Sequence, residues 1–215
     1  MKLFPLLSRK LIFAFSLAVF VQPSAFCQAP LDPNLNLLTN GDFKKGTEGW
    51  DLHAWAGQGQ AAVAQPGQAL ADQLKPTGAP GQPAPDPAET HDGKPSIRLE
   101  NISYDDAALW QKVKVKPATR YRLSGWVKTK SVEWKEKNMK DFNQKRGACL
   151  CIQGGFEKTD AIGRTKGWTH LDYEFSSGTR SEVTVGARLG FYSSPVKGTA
   201  WFSDVSLVEL GPVGR

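Results

Sequence analysis

The sequence predicts an all-β protein, an antiparallel two-sheet β-sandwich of the jelly-roll kind. About nine short segments alternate apolar and polar side chains, which is the pattern of half-buried strands. No long segment has the 3.6-residue period of an amphipathic helix, and corners containing Pro or Gly separate the segments. Short antiparallel strands without helices are typical of sandwiches and jelly rolls.

The clearest pair of strands lies between Leu109 and Lys128, on either side of a corner that contains Pro117. Successive side chains of a strand point to opposite faces, so each strand has an apolar row and an outer row. The apolar rows are Leu109, Gln111, Val113 and Val115 in the first strand, and Tyr121, Leu123, Gly125 and Val127 in the second. The outer rows contain Trp110 and Trp126. An amphipathic ring among hydrogen-bonding side chains is what a sugar-binding surface requires.

The rest of the chain supplies the other strands. An Asn40-Gly41-Asp42 turn precedes a strand that begins at Gly49-Trp50, and further strands are predicted at 61–65, 95–101, 148–154, 168–175, 182–192 and 199–210. The stretch at about 65–95 is rich in Pro, Gly and Gln and is interpreted as a solvated insertion. The charged stretch at 128–146 has room for one or two helical turns.

The N-terminus has the three parts of a secretory signal peptide. A basic start ends at Lys10, an apolar run follows at 11–21, and small and polar residues occupy 22–29. The apolar run is too short to span a bilayer. We therefore predict a signal peptide at 1–29, a short leader at 30–35, the sandwich at 36–210 and a tail at 211–215. The protein is expected in a bacterial periplasm or outside the cell.

The charge of the chain argues against a nucleic-acid partner. The formal net charge is +6, and three of the positive charges belong to Lys2, Arg9 and Lys10 of the predicted leader. The exported chain would carry about +3, which is too small for a nucleic-acid footprint. We expect an exported monomer without a membrane span.

Two cysteines remain if the leader removes Cys27. Cys149 and Cys151 are two positions apart, on one face of a predicted strand, where an unstrained disulfide does not fit. The three histidines have no metal-ligand spacing with this pair. The pair is interpreted as two small half-buried hydrophobic residues.

The landmarks, taken in order, resemble the CenC-like carbohydrate-binding modules, which are jelly rolls of the galactose-binding-like type. They are NLLTNGDF with Gly49-Trp50, GKPSIRLEN, WQKVKVKPATRYRLSGWVKTK, Trp168 with Phe175, and the closing WFSDVSL. Together they span 36–210. The resemblance implies non-catalytic binding of a glycan across the concave sheet, beside or within secreted polysaccharide-degrading enzymes.

The same resemblance implies a structural calcium ion, with Asp42 and Asp204 as the remaining ligand candidates. The sequence departs from the family at both places. Lys44 stands where the family usually has Glu, and Ser203 where a second Asp is common. Calcium prefers six to eight oxygen ligands, and a lysine ammonium repels it. We therefore expect no cofactor.

Five residues are the candidates for the sugar site, on the condition that their strands share the concave sheet. Sugars present C–H faces to aromatic rings and hydroxyl groups to polar side chains. The candidates, chosen by alternation, are Trp126, Arg122, Gln153, Arg188 and Tyr192. The alternative for Trp126 is a scaffold ring covered by a neighbouring loop.

Two other functions compete with glycan binding. A structural or adhesive envelope protein would keep the fold without a sugar site. A polysaccharide hydrolase or lyase would need a catalytic pair such as two close carboxylates, which Glu157, Asp160, Asp172 and Glu174 could supply. Acids at such positions are more often solvated, so the non-catalytic function is preferred.

Overall fold

A computed structural model describes residues 35–55, 59–64, 89–134, 146–192 and 194–214. This part of the chain contains strands and no helix. The strands are β1 (Asp51–Ala54), β2 (Gly59–Ala64), β3 (Ser96–Asp105), β4 (Ala107–Lys114), β5 (Thr119–Trp134), β6 (Ala148–Ile152), β7 (Arg164–Ser176), β8 (Glu182–Leu189) and β9 (Val196–Pro212). No helix in these ranges is long and apolar enough to cross a membrane.

The strands form two antiparallel sheets that pack face to face. One sheet has four strands in the order β1-β4-β8-β6, and the other has five in the order β2-β3-β9-β5-β7. Consecutive strands such as β4 and β5 therefore lie in different sheets. The predicted all-β sandwich is confirmed.

The core lies between the two sheets and follows the predicted alternation. In β4, Leu109 and Val113 are buried while Lys112 and Lys114 are exposed; in β5, Leu123 is buried while Arg122 is exposed. One large apolar cluster joins the inner faces of both sheets. Its largest fully buried members are Phe43, Ile97, Leu99, Leu109, Tyr121, Leu123, Leu150, Ile152, Leu189 and Phe202.

The corner between β4 and β5 carries the chain from one sheet to the other. Ala118 adopts a φ of 49°, a left-handed conformation that closes the turn. The hydroxyl of Tyr121 accepts a hydrogen bond from the backbone N–H of Lys116 at 2.8 Å. The ring of Tyr121 lies in the core, so the corner is fixed to the core by one side chain.

Two asparagines connect distant segments. The Nδ2 of Asn101 donates to the carbonyl oxygens of Asp105, Leu189 and Val196 at 3.0, 3.1 and 3.0 Å, which links β3 and β9 with β8 of the opposite sheet. The side chain of Asn36 bonds to the backbone of β9, with Nδ2 donating to Val205 O at 2.9 Å. These side-chain amides therefore add hydrogen bonds between segments far apart in the chain.

One local prediction is wrong, and others lie outside the described residues. The possible helical turns at 128–146 are replaced as far as Trp134 by strand, because β5 continues to pair with β9. The remainder of that stretch, at 135–145, lies outside the described residues. So do residues 65–88, which make up most of the predicted insertion, and the predicted signal peptide at 1–29. The domain boundaries stay a prediction.

Candidate functional site

Five aromatic rings gather on the outer face of the four-stranded sheet, and we call them the aromatic cluster. They are Trp55, Trp110, Phe156, Phe191 and Tyr192. Trp55 is 50% exposed, Tyr192 43% and Phe156 84%. Large exposed rings that lie together are unusual on a soluble surface and indicate a binding function.

Arg188 of β8 lies at the centre of the aromatic cluster. Its guanidinium carbon is 4.9 Å from the ring centroid of Trp55 and 4.4 Å from that of Tyr192. The rings of Phe191 and Trp110 lie 4.6 and 5.7 Å away. A guanidinium in this position attracts the negative faces of the rings and holds them around itself.

Arg188 is buried and paired with a single carboxylate. Its side chain donates to Asp106 through Nε at 2.7 Å and also through Nη2. Burial alone would lower the pKa of Arg188, but its hydrogen bonds with Asp106 outweigh burial and raise the pKa above its ordinary value. The arginine therefore stays charged, and the bidentate pair fixes the orientation of its fork.

Trp110 lies flat on the sheet because its neighbour on β8 is Gly186. A Cβ atom at Gly186 would lie 2.2 Å from the Trp110 ring, so only glycine leaves room for the indole there. The Nε1 of Trp110 is buried and has no hydrogen-bond partner among the described residues.

Hydrogen bonds hold the three loops that carry the exposed rings. The N–H of Trp55 donates to Asp106 O at 3.2 Å, which places the end of β1 beside the buried pair. Tyr192 adopts a φ of 48°, and its hydroxyl donates to Gly155 O at 3.0 Å. That bond joins the turn after β8 to the loop that presents Phe156.

The two cysteines lie on the same outer face as the aromatic cluster. Cys149 and Cys151 are fully buried free thiols that pack with Ala108, Trp110 and Ala161. A hydrogen bond from Cys151 lowers the pKa of Cys149, whereas burial raises the pKa of Cys151 well above its ordinary value. The two cysteines pack as small hydrophobic residues, but they are completely buried rather than half-buried as predicted.

The structure divides the five predicted site residues between the two sheets. Tyr192 belongs to the aromatic cluster, Arg188 lies at its centre, and Gln153 starts the loop that presents Phe156. Trp126 and Arg122 lie on β5, on the outer face of the five-stranded sheet. The assumption that the five share one sheet is wrong, because the corner at Pro117 moves the chain between sheets.

Trp126 is half-buried under a segment that precedes β3. The ring of His91 stacks on it with a centroid separation of 4.3 Å and an interplanar angle of 28°, and the ring of His170 meets it edge-on at 5.2 Å. His91 is 7% exposed and also contacts Trp168. This geometry matches the alternative of a scaffold ring covered by a loop.

Arg122 is engaged on the exposed face of the same strand. Its Nη2 lies 2.6 Å from Glu174 of β7. Glu157, another of the four carboxylates considered for catalysis, makes a bidentate pair with Arg180 at 2.6 and 3.1 Å. Glu174 lies on the five-stranded sheet, whereas Glu157 follows β6 of the four-stranded sheet, so these two do not form a catalytic pair.

The two calcium candidates each contact a lysine. Asp42 lies 2.8 Å from Lys44 Nζ, and Asp204 lies 2.6 Å from Lys94 Nζ. The hydrogen bond from Lys44 lowers the pKa of Asp42. The described residues contain no group of three or more His, Cys, Asp or Glu arranged to hold a metal ion. Each carboxylate that the resemblance assigns to calcium therefore forms an ion pair with a lysine ammonium group.

Sequence reasoning did not select Trp55, Trp110 and Phe156 for the site. Trp55 and Phe156 lie in loops, and a single loop aromatic is more often packed against its own loop. Trp110 was correctly predicted to point outward from its strand, but alternation could not show to which of the two sheets that strand belongs. The sequence did contain one indication of this site, which is that several aromatic residues lie near the ends of predicted strands. The alternation of side chains within a strand gives no information about such residues.

Comparison with solved structures gives similarities over most of the chain. A family 61 carbohydrate-binding module in complex with β-1,4-galactotriose has a TM-score of 0.52 at 16% identity, covering 82% of this chain and 99% of that chain. An arabinose-bound GH51 α-L-arabinofuranosidase has a TM-score of 0.50 at 15% identity, covering 83% of this chain and 27% of that chain. A family 16 carbohydrate-binding module has a TM-score of 0.43 at 18% identity, covering 81% of this chain and 100% of that chain.

No family model and no curated protein matches the chain, so the CenC-like assignment stays a prediction. At these identities the similarity concerns the fold alone. The chain has the β-sandwich fold found in carbohydrate-binding modules.

Proposed function

We propose that this chain is an exported, non-catalytic module that binds a polysaccharide or oligosaccharide at the aromatic cluster. The observation that carries the proposal is the gathering of three exposed rings: Trp55 and Tyr192 lie against the buried Arg188, and Phe156 lies against Tyr192. Such rings present flat apolar faces to the C–H faces of sugars. The fold supports the proposal, since the similar solved structures include a module bound to galactotriose.

The cluster also supplies hydrogen-bonding groups for a sugar. Gln153 is exposed at the start of the Phe156 loop, and its side-chain amide can both donate and accept hydrogen bonds. The pair of Arg188 and Asp106 fixes the rings before a ligand arrives, which reduces the entropy lost on binding. The site is therefore mostly apolar and pre-formed, with few polar groups, as small-molecule sites usually are.

The first experiment is affinity electrophoresis of the mature protein in gels that contain neutral or acidic polysaccharides. Trp55→Ala and Tyr192→Ala should each abolish retardation by the bound glycan. Micromolar to millimolar affinity corresponds to roughly 4 to 8 kcal/mol, and one stacked ring contributes on the order of 2 kcal/mol, or about thirtyfold.

Trp126→Ala is the matched control, because it removes the same ring from the opposite sheet. It should leave retardation unchanged. Loss of retardation in Trp126→Ala alone would move the site to the five-stranded sheet. If no glycan retards the folded protein, the structural or adhesive function replaces glycan binding.

A further inference from the structure

The segment that follows β6 turns back and lies alongside that strand, at the edge of the four-stranded sheet. The N–H of Thr159 donates to Leu150 O at 2.9 Å, and Lys158 lies opposite Cys151 in an antiparallel bridge. Residues opposite each other in an antiparallel pair point to the same side. Cys151 lies on the outer face, where it packs with Trp110. Lys158 is therefore on the face that carries the aromatic cluster.

The ammonium group of Lys158 lies beside the aromatic cluster. Its Nζ is 5.4 Å from the ring centroid of Phe191. The rings of Tyr192 and Phe156 lie 4.7 and 6.3 Å from the same Phe191 ring. A ligand that covers the exposed rings of Tyr192 and Phe156 would therefore pass close to a lysine ammonium group.

No carboxylate among the described residues forms an ion pair with Lys158. Arg188 is the other cation at the cluster, and Asp106 balances its charge. Glu157, the acid next to Lys158 in the sequence, is held by Arg180. Lys158 thus differs from Arg188, because its charge is available to a ligand.

The same edge of the cluster offers hydrogen-bond donors. The Nζ of Lys158 donates to Thr159 O at 3.3 Å, and an ammonium group has three N–H donors. Gln153 continues the outer row of Cys151 and is exposed. A carboxylate accepts short, strong hydrogen bonds from an ammonium group and further bonds from an amide.

The opposite edge of this face has the reverse charge. One row of partners crosses the sheet from β1 to the segment after β6, in the order Asp51, Trp110, Gly186, Cys151 and Lys158. Four steps between neighbouring strands give this row a length of about 19 Å. Asp51 is exposed at one end and the half-buried lysine is at the other. An acidic group of a ligand is therefore repelled at the β1 edge and attracted at the β6 edge.

We infer that the glycan bound at the aromatic cluster is an acidic saccharide, with a sugar carboxylate facing Lys158 and neighbouring sugars stacked on the exposed rings. This inference rests on the proposed function, because it names the class of ligand for the same site. The rings supply most of the affinity, and Lys158 selects acidic sugars over neutral ones. The carboxylate supplies the counter-charge that no described residue gives this lysine.

Isothermal titration of the mature protein with an oligogalacturonate and with a neutral galacto-oligosaccharide of the same length tests the inference. The wild type should bind the oligogalacturonate more tightly. Lys158→Gln should weaken that binding about tenfold, the equivalent of losing one charge-assisted hydrogen bond, and should leave binding of the neutral oligosaccharide unchanged. Added salt should weaken oligogalacturonate binding in the wild type and have less effect in Lys158→Gln.

The matched control is Lys166→Gln. It removes an exposed lysine from β7 of the five-stranded sheet and changes the net charge by the same amount as Lys158→Gln. It should leave both affinities unchanged, because this lysine is on the other sheet.

Three results would overturn the inference. They are equal affinity of the wild type for the two oligosaccharides, an unchanged oligogalacturonate affinity in Lys158→Gln, and an equal loss in Lys166→Gln. Absence of any oligogalacturonate binding would overturn it as well.

Trp55→Ala separates a failure of this inference from a failure of the proposed function. It should lose both oligosaccharides, because both stack on the same rings. If Trp55→Ala loses the neutral oligosaccharide while Lys158→Gln binds both as the wild type does, glycan binding at the cluster stands and the acidic class is wrong. If neither oligosaccharide binds the wild type, the inference fails, and affinity electrophoresis with the other polysaccharides decides the proposed function.

Discussion

Arg188 shows how one buried side chain can organise a group of aromatic rings around itself. Alternation placed it in an outward row, where an arginine is ordinarily solvated, yet it is 1% exposed. Its burial follows from Phe191 and Tyr192 in the turn after its own strand, and from Trp55, which covers it from a loop distant in sequence. A buried charge requires a partner, and Asp106 provides one.

Replacement of Arg188 should therefore destabilise the protein strongly. Arg188→Leu leaves Asp106 buried without a counter-charge, and we expect a loss of about 3–5 kcal/mol in the free energy of unfolding. Arg122→Leu breaks the exposed pair with Glu174 and should cost less than about 1 kcal/mol.

Chemical denaturation of the two variants measures both losses. Equal losses would mean that the buried pair contributes no more than a surface pair. Glycan retardation, measured in parallel under conditions where Arg188→Leu remains folded, should also fall because the rings lose their shared cation.

At the level of elements, the segment 89–95 acts as a strap across the five-stranded sheet. Glu89 accepts a hydrogen bond from Lys128 at 2.7 Å, and Ser203 donates to Pro95 O at 2.8 Å. Between these ends, His91 lies against Trp126 and Trp168. The strap covers this part of the outer face and explains why the ring predicted as a sugar platform is half-buried.

Removal of the His91 ring should expose Trp126. His91→Ala should shift the tryptophan emission to longer wavelength and increase quenching by acrylamide, because water would reach the freed indole face. Trp126→Phe in the same background should remove the added signal.

The control for the strap is Asp92→Asn, which removes an exposed charge beside His91 and keeps a residue that tolerates the φ of 48°. It should leave the emission unchanged. An unchanged spectrum in His91→Ala would show that Trp126 is covered by something other than the strap.

For the whole molecule, Asn101 links the two sheets by hydrogen bonds as well as by the shared core. Its Nδ2 reaches carbonyl groups at the ends of β3 and β8 and at the start of β9. Apolar packing between two sheets is not directional, so it does not by itself fix their relative position. The hydrogen bonds of this amide are directional and hold three strand ends at fixed positions relative to one another.

Loss of the Asn101 amide should lower global stability. Asn101→Ala leaves three buried carbonyl groups without this donor, and we expect a loss of at least about 2 kcal/mol in the free energy of unfolding. Gln153→Ala removes an exposed amide and should change stability by less than about 0.5 kcal/mol. Thermal and denaturant unfolding measure the stability of both variants. A small loss in Asn101→Ala would show that the two sheets are held together by packing alone.

The sequence by itself determined the strands and the faces of their side chains. The rows of Leu109 and Tyr121, the outward direction of Trp110, Trp126 and Arg188, and the two-sheet sandwich follow from a period of two. That period is a local property, because the backbone of a strand forces successive side chains to opposite faces. Local sequence was sufficient for these features.

Only the tertiary structure decided which outward residues lie together. Sheet membership depends on pairing between strands distant in sequence, so alternation could not show that Trp126 and Arg188 lie on opposite sheets. It also could not show that His91 covers Trp126, that Trp55 lies against Arg188, or that Phe156 lies against Tyr192 from a separate loop. Those arrangements arise from long-range packing, whereas a strand's pattern records only which of its own faces is buried.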